Sequence, residues 1–357
     1  MQYDADTLAK LVEEFAARQP IYREFGQAIE VLLKNRLADT AVRDHIISSR
    51  PKAVDSFSRK IQRKNYRNPL TDITDLTGVR VTICYLDQLR TVEEIIFDEF
   101  EIDHENSIDR SKIYGADTFG YLSVHYIVSN SSQKAGDEHW KRFNGIKAEV
   151  QLRTTLQHAW ALVNHALYKS ESEIPKSLWR RLNRLSGLFE LADQEFIEIR
   201  KQNERYRADI IRDFDNNRID RIEINYYTLK QYLSRNQVAI TAAKAARDQN
   251  LLLEDNLQRE YYDRMDSASV AEICKRLDIN TIADLSAILD RDKRGNSHYI
   301  EALARGNTWK FTKPFIVFLL IVKARSADFP KDYLRHKYGW EPKTIDFVLH
   351  EALKANP

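Results

Sequence analysis

The side chains best suited to chemistry begin with a basic stripe that follows Ser49. The stripe consists of Lys52, Ser56, Lys60 and Arg63. Its members are three or four residues apart, so a helix presents them on one narrow face. Several cations and a hydroxyl beside a helix start suit a triphosphate, whose charge needs several donors at once. A solvated basic face of a surface helix is the alternative explanation.

A carboxylate precedes the next chemically interesting segment. Asp75 lies just before a β-rich run in which Arg80 falls on the polar side of the alternation. An aspartate at this point can hold Mg²⁺ through its oxygens while Arg80 contacts a nucleotide. The structural alternative is that Asp75 forms a turn and Gly78 opens the strand.

Two later runs also alternate between an apolar face and a face of reactive groups. The reactive faces carry Tyr121, Ser123 and His125 in the first run, and Glu149, Gln151 and Arg153 in the second. A solvated sheet face accepts many polar side chains. The combination of phenol, imidazole, carboxylate and guanidinium groups favours a binding site over such a face.

These residues need a sheet and covering helices to bring them together. Helical spacing predicts helices over the first fifty residues, from Ser49 and Pro51 to Lys64, from Thr154 to Lys169, and after Pro175. β-rich or alternating sequence predicts strands at residues 78–85, 100–104, 121–129 and 146–153. The mixture predicts an α/β or α+β domain.

The remainder of the chain predicts helices alone. The loss of strand signals and the polar stretch 201–217 place a boundary near residue 205, giving domains 1–205 and 206–357. Residues 270–288 predict two helices with a turn at 278–280, either a helix-turn-helix or a plain αα-hairpin. An aromatic core or a partner groove is predicted from Trp309, Phe311, Phe315, Phe318 and Trp340. We expect a helical regulatory or partner-binding module.

The composition narrows the class of protein. A length of 357 residues fits two domains. The chain has 55 basic and 53 acidic residues, so affinity for phosphate must come from local clusters. Its two cysteines give no disulfide framework. The N-terminus lacks signal-peptide features and the apolar run 314–322 is too short to cross a bilayer. We expect a cytoplasmic protein with no membrane partner.

Four ordered motifs together resemble the synthetase domain of the RelA/SpoT family, including its small alarmone synthetases. They are RPKAVDSFSRK from Arg50, DLTGVR from Asp75, GYLSVH from Gly120, and EVQLRT from Glu149. The resemblance covers roughly residues 20–200 and implies a nucleotidyltransferase-like α+β fold, a mixed β-sheet flanked by helices. Any one motif alone is weak, whereas four in order are specific.

The resemblance also implies how ATP and metal are held. Arg50 and Arg80 flank the adenine of ATP, as planar guanidinium groups can. The phosphates are held by Lys52, Ser56, Lys60 and Arg63. Asp75 and Glu149 are the catalytic residues and bind Mg²⁺. Glu149 also accepts the proton of the attacking hydroxyl.

Acceptor binding is implied for a separate set of residues. Tyr121 stacks on the acceptor base, while His125, Gln151 and Arg153 orient the acceptor or its phosphates. Leu122 follows Tyr121 where the family usually has arginine. This departure concerns the acceptor, and it leaves the ATP motifs intact.

The activity implied is that of an ATP-dependent pyrophosphokinase, which moves the β,γ-pyrophosphate of ATP to the ribose 3′-hydroxyl of GDP or GTP and makes (p)ppGpp-type alarmones. One alternative changes the acceptor to the tRNA 3′ end or an adenine nucleotide, as in toxin-like synthetases of phage defence or toxin–antitoxin systems. A second alternative is a nucleotide sensor without activity. A protein trigger or antitoxin-like partner is expected to bind residues 206–357. The sequence leaves open whether the chain forms a homo-oligomer.

Overall fold

The computed structural model describes residues 3–64, 66–109, 123–131, 134, 136–167, 175–253, 257–305 and 309–355. The chain divides into two compact units, Met1–Gln202 and Asn203–Pro357. We call them the first and the second unit. Among the described residues, no helix combines the length and apolar character needed to cross a membrane.

The first unit is built on a mixed sheet. Its strands are β1 His45–Pro51, β2 Thr77–Ile83, β3 Phe100–Ile102, β4 Ile108–Asp109, β5 Val124–Asn130 and β6 Ala148–Thr154. The order is β1-β2-β6-β5-β3, and β4 pairs with β5. β2 and β6 run parallel, while the other pairs are antiparallel. This sheet, flanked by helices, confirms the predicted α+β class.

In the described part of the first unit, six α-helices accompany the sheet, and the first of them covers its apolar face. They are α1 Ala5–Ala38, α2 Val54–Arg63, α3 Pro69–Asp72, α4 Leu89–Glu99, α5 Thr155–Leu167 and α6 Lys176–Asp215, which continues past the division between the units. Phe25, Ile29 and Leu33 of α1 share a buried cluster with Val81 of β2 and Val150 of β6. Alternation along each strand turns the polar residues to the opposite face.

The edge strand β1 differs from the sequence prediction. Helix was predicted for the first fifty residues, yet α1 ends at Ala38 and His45–Pro51 pairs antiparallel with β2. The helix predicted from Ser49 begins at Val54. Pro51 has no N–H to donate, so it fits the end of an edge strand. The sequence does not alternate between apolar and polar residues here, because Ile46, which is 69% exposed, is as apolar as the buried Ile47 beside it.

The described part of the second unit consists of helices joined by short bridges and turns, and one of these helices, Lys313–Ala324, is buried among the others. They are α7 Tyr226–Arg235, α8 Gln237–Asp248, α9 Leu257–Arg276, α10 Ile282–Asp290, α11 Lys293–Ala304, α12 Lys313–Ala324, α13 Lys331–Tyr338 and α14 Pro342–Ala355. Every residue from Pro314 to Lys323 on α12 is buried. The predicted helix pair is confirmed as α9 and α10, with Asp278 at φ 56° in the turn.

Candidate active site

A cavity of about 390 Å³ opens on the polar face of the sheet in the first unit. It is bounded by the end of β1, the start of α2, and strands β2 and β6. Its lining includes the following predicted site residues: Arg50, Lys52, Ser56, Asp75, Arg80, Glu149 and Gln151. Residues from widely separated motifs therefore meet at one place.

Strand register explains why the reactive side chains share this face. Arg80 of β2 is paired with Gln151 of β6, and Gly78 is paired with Glu149. On the other side of β6, His125 of β5 is also paired with Gln151. Because paired residues in adjacent strands point to the same face, the three strands present their polar side chains together.

Asp75 lies between two lysines. Its Oδ2 accepts a hydrogen bond from Nζ of Lys52 at 2.6 Å, and its Oδ1 accepts one from Nζ of Lys60 at 2.9 Å. Lys52 is fixed by its own backbone, since its N–H donates to the carbonyl of Leu76 at 2.8 Å. Burial raises the pKa of Asp75, but the hydrogen bonds and charges of the two lysines outweigh it and hold that pKa below its usual value. Asp75 is therefore a carboxylate.

Glu149 is held by a second set of hydrogen bonds. Nδ1 of His125 lies 2.8 Å from Oε1 of Glu149, and Nε2 of Gln151 donates to Oε2 at 3.0 Å. Burial raises the pKa of Glu149, yet the hydrogen bond and charge of His125 and the bond from Gln151 bring it below its usual value. Glu149 is thus ionised and fixed in orientation on its strand.

The hydrogen bonds around Glu149 extend to both ends of the polar face. The hydroxyl of Ser123 lies 2.9 Å from Nε2 of His125. At the other end, Arg153 donates to Oε1 of Gln151. With an ionised Glu149, Nδ1 of His125 carries the hydrogen, so in the neutral imidazole Nε2 accepts from Ser123. Ser123 was not among the predicted site residues, although its position two before His125 places it on the same strand face.

Some predicted residues lie away from the cavity wall. His125 and Arg153 are connected to it through hydrogen bonds to Glu149 and Gln151. Lys60 reaches it through Asp75, whereas Arg63 is exposed at the end of α2. Tyr121 and Leu122 lie outside the described residues, so the acceptor-stacking role of Tyr121 stays a prediction.

The two carboxylates fit a magnesium ion. Asp75 and Glu149 line the same cavity, and the charge of Asp75 raises the pKa of Glu149. Among the described residues no group of three or more potential ligands of the His, Cys, Asp and Glu types occurs. Mg²⁺ in nucleotide enzymes usually takes one or two carboxylates, with water and phosphate oxygens completing its shell. A pair of ionised carboxylates is therefore a suitable donor set.

Comparison with known proteins agrees with the motifs. A family profile described as "Region found in RelA / SpoT proteins" matches residues 49–173. The GTP pyrophosphokinase YjbM of Bacillus subtilis (strain 168) is 30% identical over 200 residues, which cover 52% of this chain and 89% of the relative. YwaC of the same organism, also named a GTP pyrophosphokinase, is 25% identical over 161 residues, covering 43% of this chain and 72% of the relative.

A solved structure is also similar over the same part of the chain. The crystal structure of small alarmone synthetase 1 from Bacillus subtilis covers 54% of this chain and 99% of its own, with 25% identity and a TM-score of 0.44. The sequence relatives bear out the family predicted from the motifs and its activity as a pyrophosphokinase. The chain therefore belongs to the RelA/SpoT family of GTP pyrophosphokinases, the family of the small alarmone synthetases.

Proposed function

We propose that the first unit transfers the β,γ-pyrophosphate of ATP to the ribose 3′-hydroxyl of GDP or GTP and so makes (p)ppGpp-type alarmones. The observation that carries this proposal is the cavity in which two ionised carboxylates lie among cations from β1, α2 and β2. Phosphoryl transfer needs mainly positioning and neutralisation of charge. The names of the sequence relatives support a guanine nucleotide as acceptor.

ATP is assigned to the side of the cavity formed by β1 and α2. Arg50 at the end of β1 and Arg80 on the adjacent β2 both line the cavity, and their guanidinium groups can lie against the faces of an adenine ring. Lys52, Lys60 and Ser56 supply ammonium and hydroxyl donors for the phosphates, with Lys60 set back behind Asp75. A bound Mg²⁺ held by Asp75 and Glu149 would neutralise charge on the transferred group.

Glu149 is assigned as the proton acceptor. It is ionised, and its two oxygens are aimed by His125 and Gln151. In the reaction the acceptor 3′-oxygen forms a bond to the β-phosphorus of ATP, and the bond from that phosphorus to the α–β bridging oxygen breaks. AMP leaves, and the 3′-hydroxyl proton passes to Glu149. A positioned base of this kind contributes on the order of 10²–10⁴ in rate.

His125, Gln151 and Arg153 are assigned to positioning and to the acceptor. Ser123 and His125 fix one oxygen of Glu149, while Arg153 fixes the amide of Gln151 through its oxygen. The amide nitrogen of Gln151 is thereby turned towards Glu149. A single chain of hydrogen bonds thus sets the carboxylate before any acceptor arrives, which reduces the cost of organising the site during reaction.

The second unit is assigned a regulatory role. All four motifs lie before residue 170, and the hydrophobic clusters of the first unit draw their buried residues from that unit alone. The second unit has a separate core. A regulator needs only a few kcal/mol of differential affinity between two states of its target.

The activity can be tested with ATP labelled at the γ-phosphate. The purified full chain is incubated with Mg²⁺ and, in separate reactions, GDP, GTP, AMP or bulk tRNA. We expect label to move to GDP or GTP, with one AMP released for each labelled product. Label on tRNA or AMP would instead identify the acceptor as that molecule, and label found only in inorganic phosphate would contradict pyrophosphate transfer.

A further inference from the structure

A second cavity, of about 450 Å³, lies in the second unit and is unrelated to the phosphate chemistry described above. It is formed by α9, by the segment that leads into α12, and by the end of α13 with the residues after it. Its wall is largely aromatic and includes Tyr262, Trp309, Phe311, Phe315, Tyr338 and Trp340. Its size falls within the range of small-molecule sites.

The rings of this aromatic cavity support one another. Trp309 and Trp340 are stacked, with centroids 6.0 Å apart and planes at 17°. Tyr338 lies 5.6 Å from Trp340 and meets Phe315 edge-on at 5.4 Å. Phe311 is fixed by its backbone, whose N–H donates to the carbonyl of Leu251 at 2.6 Å. The rings therefore pack against one another and form one continuous aromatic surface.

One carboxylate, that of Asp266 on α9, lines the same cavity as the rings. Its Oδ2 accepts a hydrogen bond from the Thr312 hydroxyl at 2.6 Å. The same hydroxyl accepts the Phe315 N–H at 3.1 Å and caps α12. Within the described parts of the chain Asp266 forms no salt bridge. Lys310, which also lines the cavity, donates instead to the carbonyl and side-chain oxygens of Asn250 at 2.6 and 2.9 Å.

The charge on Asp266 is costly to the folded unit. Burial raises the pKa of Asp266 to about 6, the Thr312 hydrogen bond opposes this, and the charge of Asp263 reinforces it. At neutral pH the carboxylate is still ionised and half-buried in the aromatic cavity, and it has no salt-bridge partner in the part of the chain that the structure describes. A desolvated charge of this kind in a cavity is typical of a binding site, because a ligand of opposite charge offsets its cost.

We propose that the aromatic cavity binds a small organic cation, with its alkylammonium or guanidinium group at Asp266 and its carbon body against Trp309 and Trp340. Aromatic faces attract such cations, and the attraction is strongest when water is excluded. The catalytic cavity differs, since three cations and two carboxylates line it together, namely Arg50, Lys52, Arg80, Asp75 and Glu149. The aromatic cavity, in which Asp266 is the one carboxylate among the described lining residues, is thus distinct in chemistry from the nucleotide cavity.

The first test compares two probes that differ in charge but not in shape. Choline and its neutral isostere 3,3-dimethylbutan-1-ol are titrated into the full chain by isothermal calorimetry, with agmatine as a guanidinium probe. We expect choline or agmatine to bind, and the isostere to bind at least about tenfold more weakly, since it lacks the charge–carboxylate interaction. Equal affinities, or no heat from either cation, would overturn the proposal.

The second test uses variants with a matched control. Asp266→Asn keeps the acceptor for Thr312 but loses the charge, and Trp340→Leu keeps apolar volume but loses the ring. Each is expected to weaken cation binding by about tenfold or more. Asp263→Asn removes the same charge one turn earlier on α9, from a side chain outside this cavity. If Asp263→Asn weakened cation binding equally, the cation would be attracted by the general negative charge of this region and not by a specific contact with Asp266. That result would overturn the proposal.

Discussion

Lys52 and Lys60 share the carboxylate of Asp75, one ammonium group on each oxygen, at 2.6 and 2.9 Å. The proposed metal ligand is thus neutralised by the same side chains that are proposed to bind ATP. Triphosphate oxygens are strong acceptors for ammonium groups and would compete with Asp75 for them. Binding of ATP would then release Asp75 to the metal that accompanies the nucleotide, so the three side chains act as one unit.

Replacement of Lys60 tests this relationship. Lys60→Ala removes one donor from the phosphates and one from Asp75. A hydrogen bond to a charged group contributes about 1.5–3 kcal/mol, so we expect the KM for ATP to rise about ten- to a hundredfold. Lys64→Ala is the matched control, because Lys64 is exposed at the end of the same helix. Steady-state kinetics with equal KM values for both variants would remove Lys60 from the ATP site.

Replacement of Glu149 tests the proton acceptor. Glu149→Gln keeps the shape of the side chain on β6 while removing both the charge and the base. We expect pyrophosphate transfer to fall by on the order of 10²–10⁴ or more, with circular dichroism unchanged. Glu101→Gln, at an exposed position on β3, should keep full activity. Near wild-type turnover of Glu149→Gln in the labelled-ATP assay would contradict the assignment of Glu149 as the proton acceptor.

Replacement of His125 tests the pKa of Glu149. Burial raises that pKa and the His125 contact lowers it, so His125→Ala leaves burial less opposed and the pKa rises. Activity that requires ionised Glu149 is lost as pH falls through its pKa. We therefore expect the acid limb of the kcat/KM profile to move to higher pH. His104→Ala, at an exposed position, should leave the limb in place, and an unmoved limb in both variants would contradict the coupling.

The sequence predicted the helices and central strands well because their periodicity is local. β2 and β6 alternate cleanly between buried and partly exposed residues at their starts. β1 was not predicted because its sequence does not alternate in polarity, with two isoleucines followed by two serines, although its burial does alternate once it pairs with β2. A strand whose conformation depends on a distant partner leaves little trace in its own residues.

The arrangement of the site residues, like the conformation of β1, depends on pairing between strands that are distant in the sequence. Glu149 and His125 are joined because β5 pairs with β6 in a register that places His125 opposite Gln151. The motifs named the residues, but neither spacing nor composition encodes that register. The hydrogen bond between Ser123 and His125 and the double lysine contact of Asp75 emerged only from the structure.

Replacement of Asp266 tests the cost of its charge. The pKa of Asp266 is raised from 3.8 to about 6 in the folded chain. The folded state therefore binds the proton more tightly than the unfolded state does. The free energy of unfolding consequently falls as pH rises from 3.8 to about 6. Asp266→Asn should stabilise the chain by on the order of 1–2 kcal/mol at neutral pH, with the gain vanishing in acid. Thermal melts across pH, with the exposed Asp346→Asn as control, check this; a gain independent of pH would contradict it.

Removal of residues 206–357 tests the regulatory role of the second unit. The truncated chain should fold, since the clusters of the first unit contain no residue of the second. We expect its pyrophosphate transfer to equal or exceed that of the full chain, because the removed part is proposed to restrain it. Circular dichroism and the labelled-ATP assay are the measurements. A folded but inactive product would mean that the second unit completes the enzyme.

The burial of α12 has a consequence for how the second unit is made in the cell. Residues from Pro314 to Lys323 have no solvent face, so this helix gains its stability from partners and not from its own sequence. Among those partners are Val348, Leu349 and Ala352 of α14, which the ribosome adds later. Until α14 emerges, an apolar segment stays open to chaperones and to other nascent chains. The core of the second unit is therefore completed only after α14 has been synthesised.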